Sequence, residues 1–275
     1  SCHSNRQFDD QVILGKICFD VLNQDIIKKP HSDEFCGVFV DGRDRDIRSY
    51  EDYAAFKSFK LFSDKDYPIL AFINKNVLAS DRFLDKQTIS DSRIFCFPIE
   101  PLNSLDEYTS FCVKRLYNLI PNDFQRGLFF QPDGFLIKSG WESFIKEGNY
   151  EFLGAKWIHS PSIETFVGGR WVNTLSFATR ACNGGFSYRY IPRFKAVSEK
   201  YGNLKMREAG TENKIPPEDL FFGYHIFGES YPNLPYLPNL DKFCLDPIEL
   251  KEYNDKTSFG FHCPKKVNEW KSATY

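Results

Sequence analysis

Apolar residues in the first half of the chain fall into four short runs, each ended by a polar or turn-forming residue. The runs occupy residues 36–40, 69–73, 93–99 and 127–131. Strands that are buried on both faces are almost continuously apolar, whereas strands with one solvated face alternate. The four runs therefore predict strands, of which the first and the fourth are expected to be buried.

The segments between these runs carry apolar residues at helical spacing. They predict helices at residues 49–62 and 108–120 and a short helix at 80–86. Ser104, followed three residues later by Glu107, is typical of a helix N-terminus. Alternating strands and helices favour a mostly parallel sheet flanked by helices, and right-handed crossovers make it a doubly wound, Rossmann-type α/β fold.

The second half of the chain has a different pattern, with glycine pairs and a tail rich in proline and aromatic residues. We predict that residues 35–275 form one continuous domain, preceded by an accessory, partly helical segment at 1–34. The elements predicted after Asp133 are a strand at 150–157, a loop through Pro161 and Gly168-Gly169, a glycine-rich turn at 183–187 that leads into a strand, helices at 191–201 and 217–226, and a tail at 231–275 that wraps back over the domain.

Composition supports a folded core and argues against several classes of partner. The 275 residues are 42% hydrophobic and 17% aromatic, with a net charge of −2 and a sequence pI of about 6.2. No stretch is strongly basic, so nucleic acid is not an expected partner, and no apolar run has the length of a transmembrane segment. The eight cysteines include no CxxC pair, which favours free thiols in a reducing compartment. We therefore expect a cytoplasmic location, the cytoplasmic face of a membrane included.

The end of the fourth predicted strand places a carboxylate where open α/β sheets bind ligands. Gln131-Pro132-Asp133-Gly134 ends the apolar run with a turn. Asp133, with the amide oxygen of Gln131, could bind a divalent cation, and such a cation could bind phosphate oxygens. An ordinary turn after a strand also explains these residues.

A second candidate is the segment Asn183-Gly184-Gly185, followed by Arg189. Paired glycines let a backbone approach a ligand closely. Asn183 could form hydrogen bonds with sugar hydroxyls, and Arg189 could pair with phosphate. The alternative is a tight turn with a surface arginine.

Two further candidates are the acid pair Glu218-Asp219 and the late histidine His262. Acids in the first turn of a helix are favoured by the helix dipole, so capping alone explains the pair. One of them could instead act as a general base that deprotonates an acceptor hydroxyl. His262, which stands among aromatic residues, is either a buried core histidine or a metal ligand.

Taken in order, these segments resemble a family of glycosyltransferases known mainly from sequence. The family has Q-x-D-G-F, Y-D-Y-I-G-A-P-W, N-G-G-F-S-L-R, E-D-x-F-F and G-F-H blocks. This chain has FFQPDGFLI, YEFLGAKW, NGGFSYR, PEDLFF and FGFH between residues 90 and 265. Departures are Glu151 and Lys156 in the second block and Tyr188 in the third. Gln131 is the departure that bears on metal binding, because it leaves Asp133 as the one firm acidic ligand for a cation.

The resemblance implies a GT-A-like fold and the activity of an inverting glycosyltransferase. In similar enzymes a divalent cation, Mn²⁺ or Mg²⁺, helps to bind a nucleotide-diphosphate sugar, here expected to be a UDP-sugar. The resemblance further implies a nucleotide-binding half at residues 35–135 and an acceptor-binding half at residues 136–275. The implied roles are metal binding for Asp133, His262 and Gln131, sugar or nucleotide binding for Asn183, Gly184, Gly185, Asp41 and Arg43, a catalytic base at Asp219, and contact with donor or acceptor for Glu218.

Two alternatives stay open at this point. Gln131 motivates a GT-A-fold module that binds carbohydrate and has lost catalysis. A nucleotidyltransferase is the other, although the first loop, residues 41–45, is not a P-loop. Trp141, Trp157 and Trp171 could stack on sugar rings, with core packing as the alternative for each.

Overall fold

A six-stranded sheet forms the centre of the computed structural model, which describes residues 14–85, 93–156, 162–174, 182–211, 216–230, 240–245 and 258–262. The strands are β1 (Cys36–Asp41), β2 (Ile69–Asn74), β3 (Ile94–Ile99), β4 (Arg126–Phe129), β5 (Phe152–Lys156), β6 (Ile163–Val167), β7 (Arg170–Thr174), β8 (Cys182–Tyr190), β9 (Met206–Glu208), β10 (Cys244–Leu245) and β11 (Gly260–Phe261). The order in the large sheet is β3-β2-β1-β4-β8-β5. Within it β8 runs antiparallel to both of its neighbours, and the other pairs are parallel.

Helices cover both faces of this sheet. Successive residues of a strand point to opposite faces. At the end of β4, Phe129 packs against Tyr117 with ring centroids 6.1 Å apart, and Phe130 stacks on Phe59 at 5.7 Å. The predicted α/β class is therefore confirmed.

The helices are α1 (residues 14–22), α2 (Tyr50–Phe62), α3 (Lys75–Ala79), α4 (Leu105–Phe111), a π-helical segment (Cys112–Leu116), α5 (Tyr117–Leu119), α6 (Trp141–Gly148), α7 (Ile191–Tyr201), α8 (Glu218–Ser230) and α9 (Leu240–Phe243).

Two local predictions were wrong. The short helix expected at 80–86 lies earlier, at α3, because the side chain of Asn74 accepts a hydrogen bond from the Asn76 amide (2.9 Å) and caps that helix. The loop expected around Gly168-Gly169 is a hairpin that joins β6 to β7 and packs beside β9. Both glycines have positive φ, +59° and +81°, which a two-residue hairpin turn requires.

The carboxyl ends of β1, β2 and β4 meet at one edge of the large sheet, and the antiparallel β8 begins there. The expected glycine-rich turn is the first part of β8. Its pairing with β5 shifts from Gly154–Ser187 to Lys156–Cys182, so residues 183–186 form a bulge. The bulge lies just beyond Phe129, which pairs with Ser187.

The described part of the tail packs against the domain. Gly260 bridges Leu136, and the Phe261 amide donates to the Phe135 carbonyl at 3.3 Å. This pairing carries the next residue, His262, to the same edge of the sheet. Among the described residues no helix combines the length and apolarity that a bilayer crossing requires, and no disulfide is present.

Candidate active site

The bulge at the start of β8 brings two groups of side chains together at the carboxyl edge of the sheet. On one side the amide of Gly184 donates a hydrogen bond to Oδ2 of Asp219 at 3.0 Å. On the other side the ring of His262 lies against Gly185. Asn183 holds the bulge itself, because its Oδ1 accepts from the Gly185 amide at 3.0 Å. Segments that are distant in sequence therefore converge on two adjacent glycines.

Each glycine is required by its own neighbours. A Cβ at Gly184 would lie 2.5 Å from Oε1 of Glu218 and 2.8 Å from Nη2 of Arg189. A Cβ at Gly185 would overlap the ring of His262 and lie 3.1 Å from Oε1 of Gln131. Real Cβ atoms do not approach other atoms closer than about van der Waals contact, so both positions exclude a side chain unless the neighbours move.

Glu218 is held by Arg189 in a buried two-pronged ion pair. Nη1 of Arg189 donates to Oε2 at 3.1 Å and Nη2 donates to Oε1 at 2.9 Å. The Arg189 side chain is 1% exposed, and its guanidinium lies over the ring of Phe129, 4.2 Å from the centroid. The structure thus places Arg189 in the interior, where Glu218 takes the position predicted for phosphate, and the alternative of a surface arginine does not hold.

Asp219 is buried beside Glu218, and both of its oxygens accept backbone hydrogen bonds. Oδ2 accepts from Gly184, and Oδ1 accepts from the Leu220 amide at 2.8 Å. Burial, followed by the charge of Glu218, raises the pKa of Asp219 to about 7, and the two backbone hydrogen bonds and Arg189 oppose that rise. A carboxylate with a pKa near neutrality suits proton transfer.

Gln131 and Gly134 close a tight turn that presents Asp133. Each of these two residues donates its amide to the carbonyl of the other, at 2.9 and 3.1 Å. Asp133 is half-buried at the tip of this turn, and in the described part of the chain no hydrogen bond engages its carboxylate. Burial lowers the pKa of His262, and the nearby charge of Asp133 opposes that effect. Asp133, His262 and Gln131 therefore face one region.

The donor set of this region partly fits a divalent cation. A carboxylate oxygen, an amide oxygen and a neutral imidazole nitrogen are all ligands of Mg²⁺ or Mn²⁺. Within the described ranges, however, no group of three His, Cys, Asp or Glu side chains is spaced to hold an ion. The described residues would therefore supply few ligands, and a cation bound by them would depend on oxygens from the substrate.

A separate charged network lies at the carboxyl end of β1. Asp41 is buried, and its carboxylate accepts from Arg43 at 2.8 and 2.9 Å and from Arg45 at 2.6 Å. Arg45 also forms a two-pronged pair with Asp52. Burial would raise the pKa of Asp41, but the hydrogen bonds and charges of Arg43 and Arg45 outweigh it and lower that pKa. Of the two arginines, Arg43 is the more exposed, with 38% of its side chain accessible.

Three residues of the site were not found by sequence reasoning. Arg45 anchors the β1 network, Tyr117 accepts a hydrogen bond from Arg189 at 2.8 Å, and Ser187 donates to the Gly184 carbonyl at 3.1 Å. Of the three, only Ser187 could have been found from a local sequence motif, because it lies in the glycine-rich block. The other two depend on side chains that are distant in sequence or on burial that no short pattern reports.

The tryptophans considered for sugar stacking fall in different places. Trp141 is fully buried among Phe35, Phe59 and Tyr67 at the opposite edge of the sheet. Trp171 lies on the small sheet of β6, β7 and β9, where the guanidinium of Arg207 covers its ring at 4.2 Å. Trp157 lies outside the described residues.

Comparisons with known proteins add a family and a structural likeness. The family model described as "Protein of unknown function (DUF5672)" matches residues 91–262, which include the acid pair, the glycine pair, Gln131, Asp133 and His262. No curated protein matches the chain. The crystal structure of mouse xyloside xylosyltransferase 1 in its apo form is similar with a TM-score of 0.48 and 8% identity, over 84% of this chain and 97% of that chain.

Proposed function

The chain belongs to the family described as "Protein of unknown function (DUF5672)", and from its site we propose an inverting, metal-assisted glycosyltransferase. The donor would be a nucleotide-diphosphate sugar, most simply a UDP-sugar, and the acceptor a glycan hydroxyl. One observation carries the proposal. The adjacent glycines of β8 place a buried carboxylate of raised pKa, Asp219, next to a second group of potential metal ligands, His262, Gln131 and Asp133.

Asp219 is the proposed general base. Its two oxygens are oriented by the amides of Gly184 and Leu220. In the proposed step the acceptor hydroxyl gives its proton to Asp219 while its oxygen attacks the anomeric carbon. The bond from that carbon to the diphosphate breaks, and the nucleotide diphosphate leaves with the bonding electrons. Attack from the side opposite the leaving group inverts the anomeric configuration.

Asp133, His262 and Gln131 are the proposed ligands of a divalent cation. A cation bound there would neutralise the negative charge that develops on the departing diphosphate. The turn formed by Gln131 and Gly134 holds the backbone that carries Asp133, and Gly185 lets the His262 ring approach the same region. Gln131 contributes an oxygen without charge, so this set would bind the cation weakly until the donor is present.

Glu218 acts in this proposal through Asp219 rather than through the substrate. Its carboxylate is bound by Arg189, so we assign the proton transfer to Asp219, the member of the pair with the raised pKa. At the end of β1, the exposed part of Arg43 is proposed to face the nucleotide, with Asp41 holding its guanidinium. Asn183 is proposed to border the sugar beside Gly184 and Gly185.

A carbohydrate-binding module without catalysis is the second candidate. The observation that favours it is the small number of charged metal ligands in the described part of the chain, because Gln131 stands where a second acid would bind. Such a module would bind glycan and would not consume any donor.

The test is a donor-hydrolysis screen in which purified chain is incubated with a panel of nucleotide sugars and Mn²⁺, Mg²⁺ or EDTA. The proposal predicts release of nucleotide diphosphate from one donor, abolished by EDTA and by Asp133→Asn. Asp123→Asn, which changes an exposed carboxylate outside the site, is the matched control and should behave as wild type. Silence with every donor, together with glycan binding on an array, would favour the binding module. Turnover that EDTA leaves intact would reject the metal site.

A further inference from the structure

Arg189 uses its whole guanidinium to join four parts of the site. Besides its pair with Glu218, Nε donates to Oγ of Ser187 at 3.0 Å, Nη1 donates to the Tyr117 hydroxyl at 2.8 Å, and Nη2 donates to the Gly184 carbonyl at 3.2 Å. A guanidinium has five N–H donors in a rigid, planar fork. Contacts from all three nitrogens of this one plane fix the relative positions of β8, α5 and α8.

The partner on α5 is itself positioned by an unusual helix. The π-helical segment Cys112–Leu116 directly precedes Tyr117, and such segments occur frequently at functional sites. The Tyr117 ring packs between the rings of Phe129, Phe194 and Phe222, with centroids 5.2 to 6.1 Å away. Its hydroxyl is therefore held in place independently of Arg189.

The same guanidinium touches both supports of the base. Through Gly184 it contacts the residue whose amide donates to Asp219, and through Glu218 it contacts the residue that precedes Asp219 in the chain. A displacement of Arg189 would consequently shift Asp219 both through Gly184 and through Glu218. Misplacement of a reacting group by about 1 Å can cost on the order of 10²-fold in rate.

We propose that Arg189, supported by Tyr117, is a positioning residue that aims Asp219 at the acceptor hydroxyl without touching the substrate. The inference rests on the proposed function and deepens it, because it separates the roles of the acid pair. Glu218 anchors the guanidinium, and Asp219 takes the proton. Among the described residues, Tyr117, Cys112 and Cys182 are further titratable groups near the pair, and all three are buried.

The kinetic test is a double-mutant cycle with Arg189→Lys and Tyr117→Phe. Lysine at residue 189 keeps the positive charge and lacks the planar N–H donors of the guanidinium, and phenylalanine at residue 117 removes only the tyrosine hydroxyl. We expect Arg189→Lys to lower kcat by on the order of 10²-fold and Tyr117→Phe by about tenfold, with donor KM unchanged in both. The double variant should be no slower than Arg189→Lys alone, because both changes act through one guanidinium. Arg193→Lys, in a half-buried ion pair with Glu229, is the matched control and should keep the wild-type kcat.

A second readout does not need turnover. In protein labelled with ¹⁵N-glycine, the amide signal of Gly184, one of 17 glycines, reports its hydrogen bond to Asp219. The proposal predicts that this signal moves in Arg189→Lys and in Tyr117→Phe and stays in place in Arg193→Lys. Lost kcat with an unmoved Gly184 signal, or additive losses in the cycle, would overturn the positioning role. A moved signal in a protein whose wild type consumes no donor would instead overturn the proposed function.

Discussion

The ring of His262 lies directly against Gly185, so closely that a side chain at residue 185 would overlap it. The neighbouring Gly184 has the same relationship with Glu218 and Arg189. Two adjacent residues thus separate the two functions proposed for the site. Gly184 leaves room for the side chains that support the proposed base, and Gly185 leaves room for the proposed metal ligands.

Alanine at each glycine should therefore give a different kinetic defect. We expect Gly185→Ala to displace His262 and raise the Mn²⁺ concentration needed for half-maximal donor turnover by about tenfold or more. Gly184→Ala should displace the acid pair and lower kcat on the order of 10²-fold at an unchanged Mn²⁺ requirement. A Mn²⁺ titration of both variants measures this.

Gly228→Ala is the control for that pair, because a Cβ there meets open space within α8. It should leave kcat and the metal requirement unchanged. Identical kinetic defects in Gly184→Ala and Gly185→Ala would contradict the separate roles proposed for the two glycines.

The pH dependence of turnover should report Asp219. A general base must be ionised to accept a proton, and burial raises the pKa of Asp219 to about 7. We expect kcat/KM for the acceptor to rise with pH and level off above about 7. Glu142, whose pKa burial also raises to about 7, pairs with the Asp64 amide away from the site. The profile should therefore persist in Glu142→Gln, and its persistence in Asp219→Asn would rule out Asp219 as the group observed.

The same shift predicts a pH-dependent effect on stability. A raised pKa means that the folded state favours neutral Asp219, so this residue's contribution to stability is present at low pH and is lost as pH rises toward 7. Asp219→Asn removes the charge that causes this loss. The change in melting temperature, variant minus wild type, should accordingly be more positive at pH 8 than at pH 5. Thermal melts at both pH values measure it, and equal differences would show that Asp219 is not destabilised by ionisation.

Arg43 should affect donor binding rather than chemistry. It is fixed by Asp41 at the end of β1, and part of its side chain is exposed. We expect Arg43→Gln to raise donor KM by about tenfold with kcat within about twofold of wild type, since a lost charge-assisted hydrogen bond costs on that scale. Arg48→Gln, which alters an exposed arginine paired with Asp46, should leave KM unchanged. A KM unchanged in Arg43→Gln would remove this residue from the nucleotide site.

Hydrophobic pattern predicted β1 and β2 closely because both strands are buried on both faces. The run at 36–40 became β1 and that at 69–73 became β2, each within one residue. The pattern failed where short polar side chains or turns decide the structure. Asn74 starts a helix that apolar spacing does not show, and Gly168-Gly169 joins two strands where the sequence indicated a loop.

The candidate site was predictable in its residues and not in its arrangement. Glu218 and Asp219 look equivalent in sequence, and only the fold shows that one of them is bound to Arg189. That pairing joins residues 29 positions apart inside a buried aromatic cage, which no local motif encodes. The shared approach of His262 and Gln131 to Gly185 depends in the same way on strand pairing by the tail.

If Asp219 takes the proton from the acceptor hydroxyl, the rate of sugar transfer by Asp219→Asn must fall. It should be compared with wild type and Asp123→Asn, with donor binding measured separately by calorimetry. We predict that Asp219→Asn loses about 10² to 10⁴-fold in kcat, the range for removing a general base, at an unchanged donor affinity. Transfer at the wild-type rate by Asp219→Asn would contradict it.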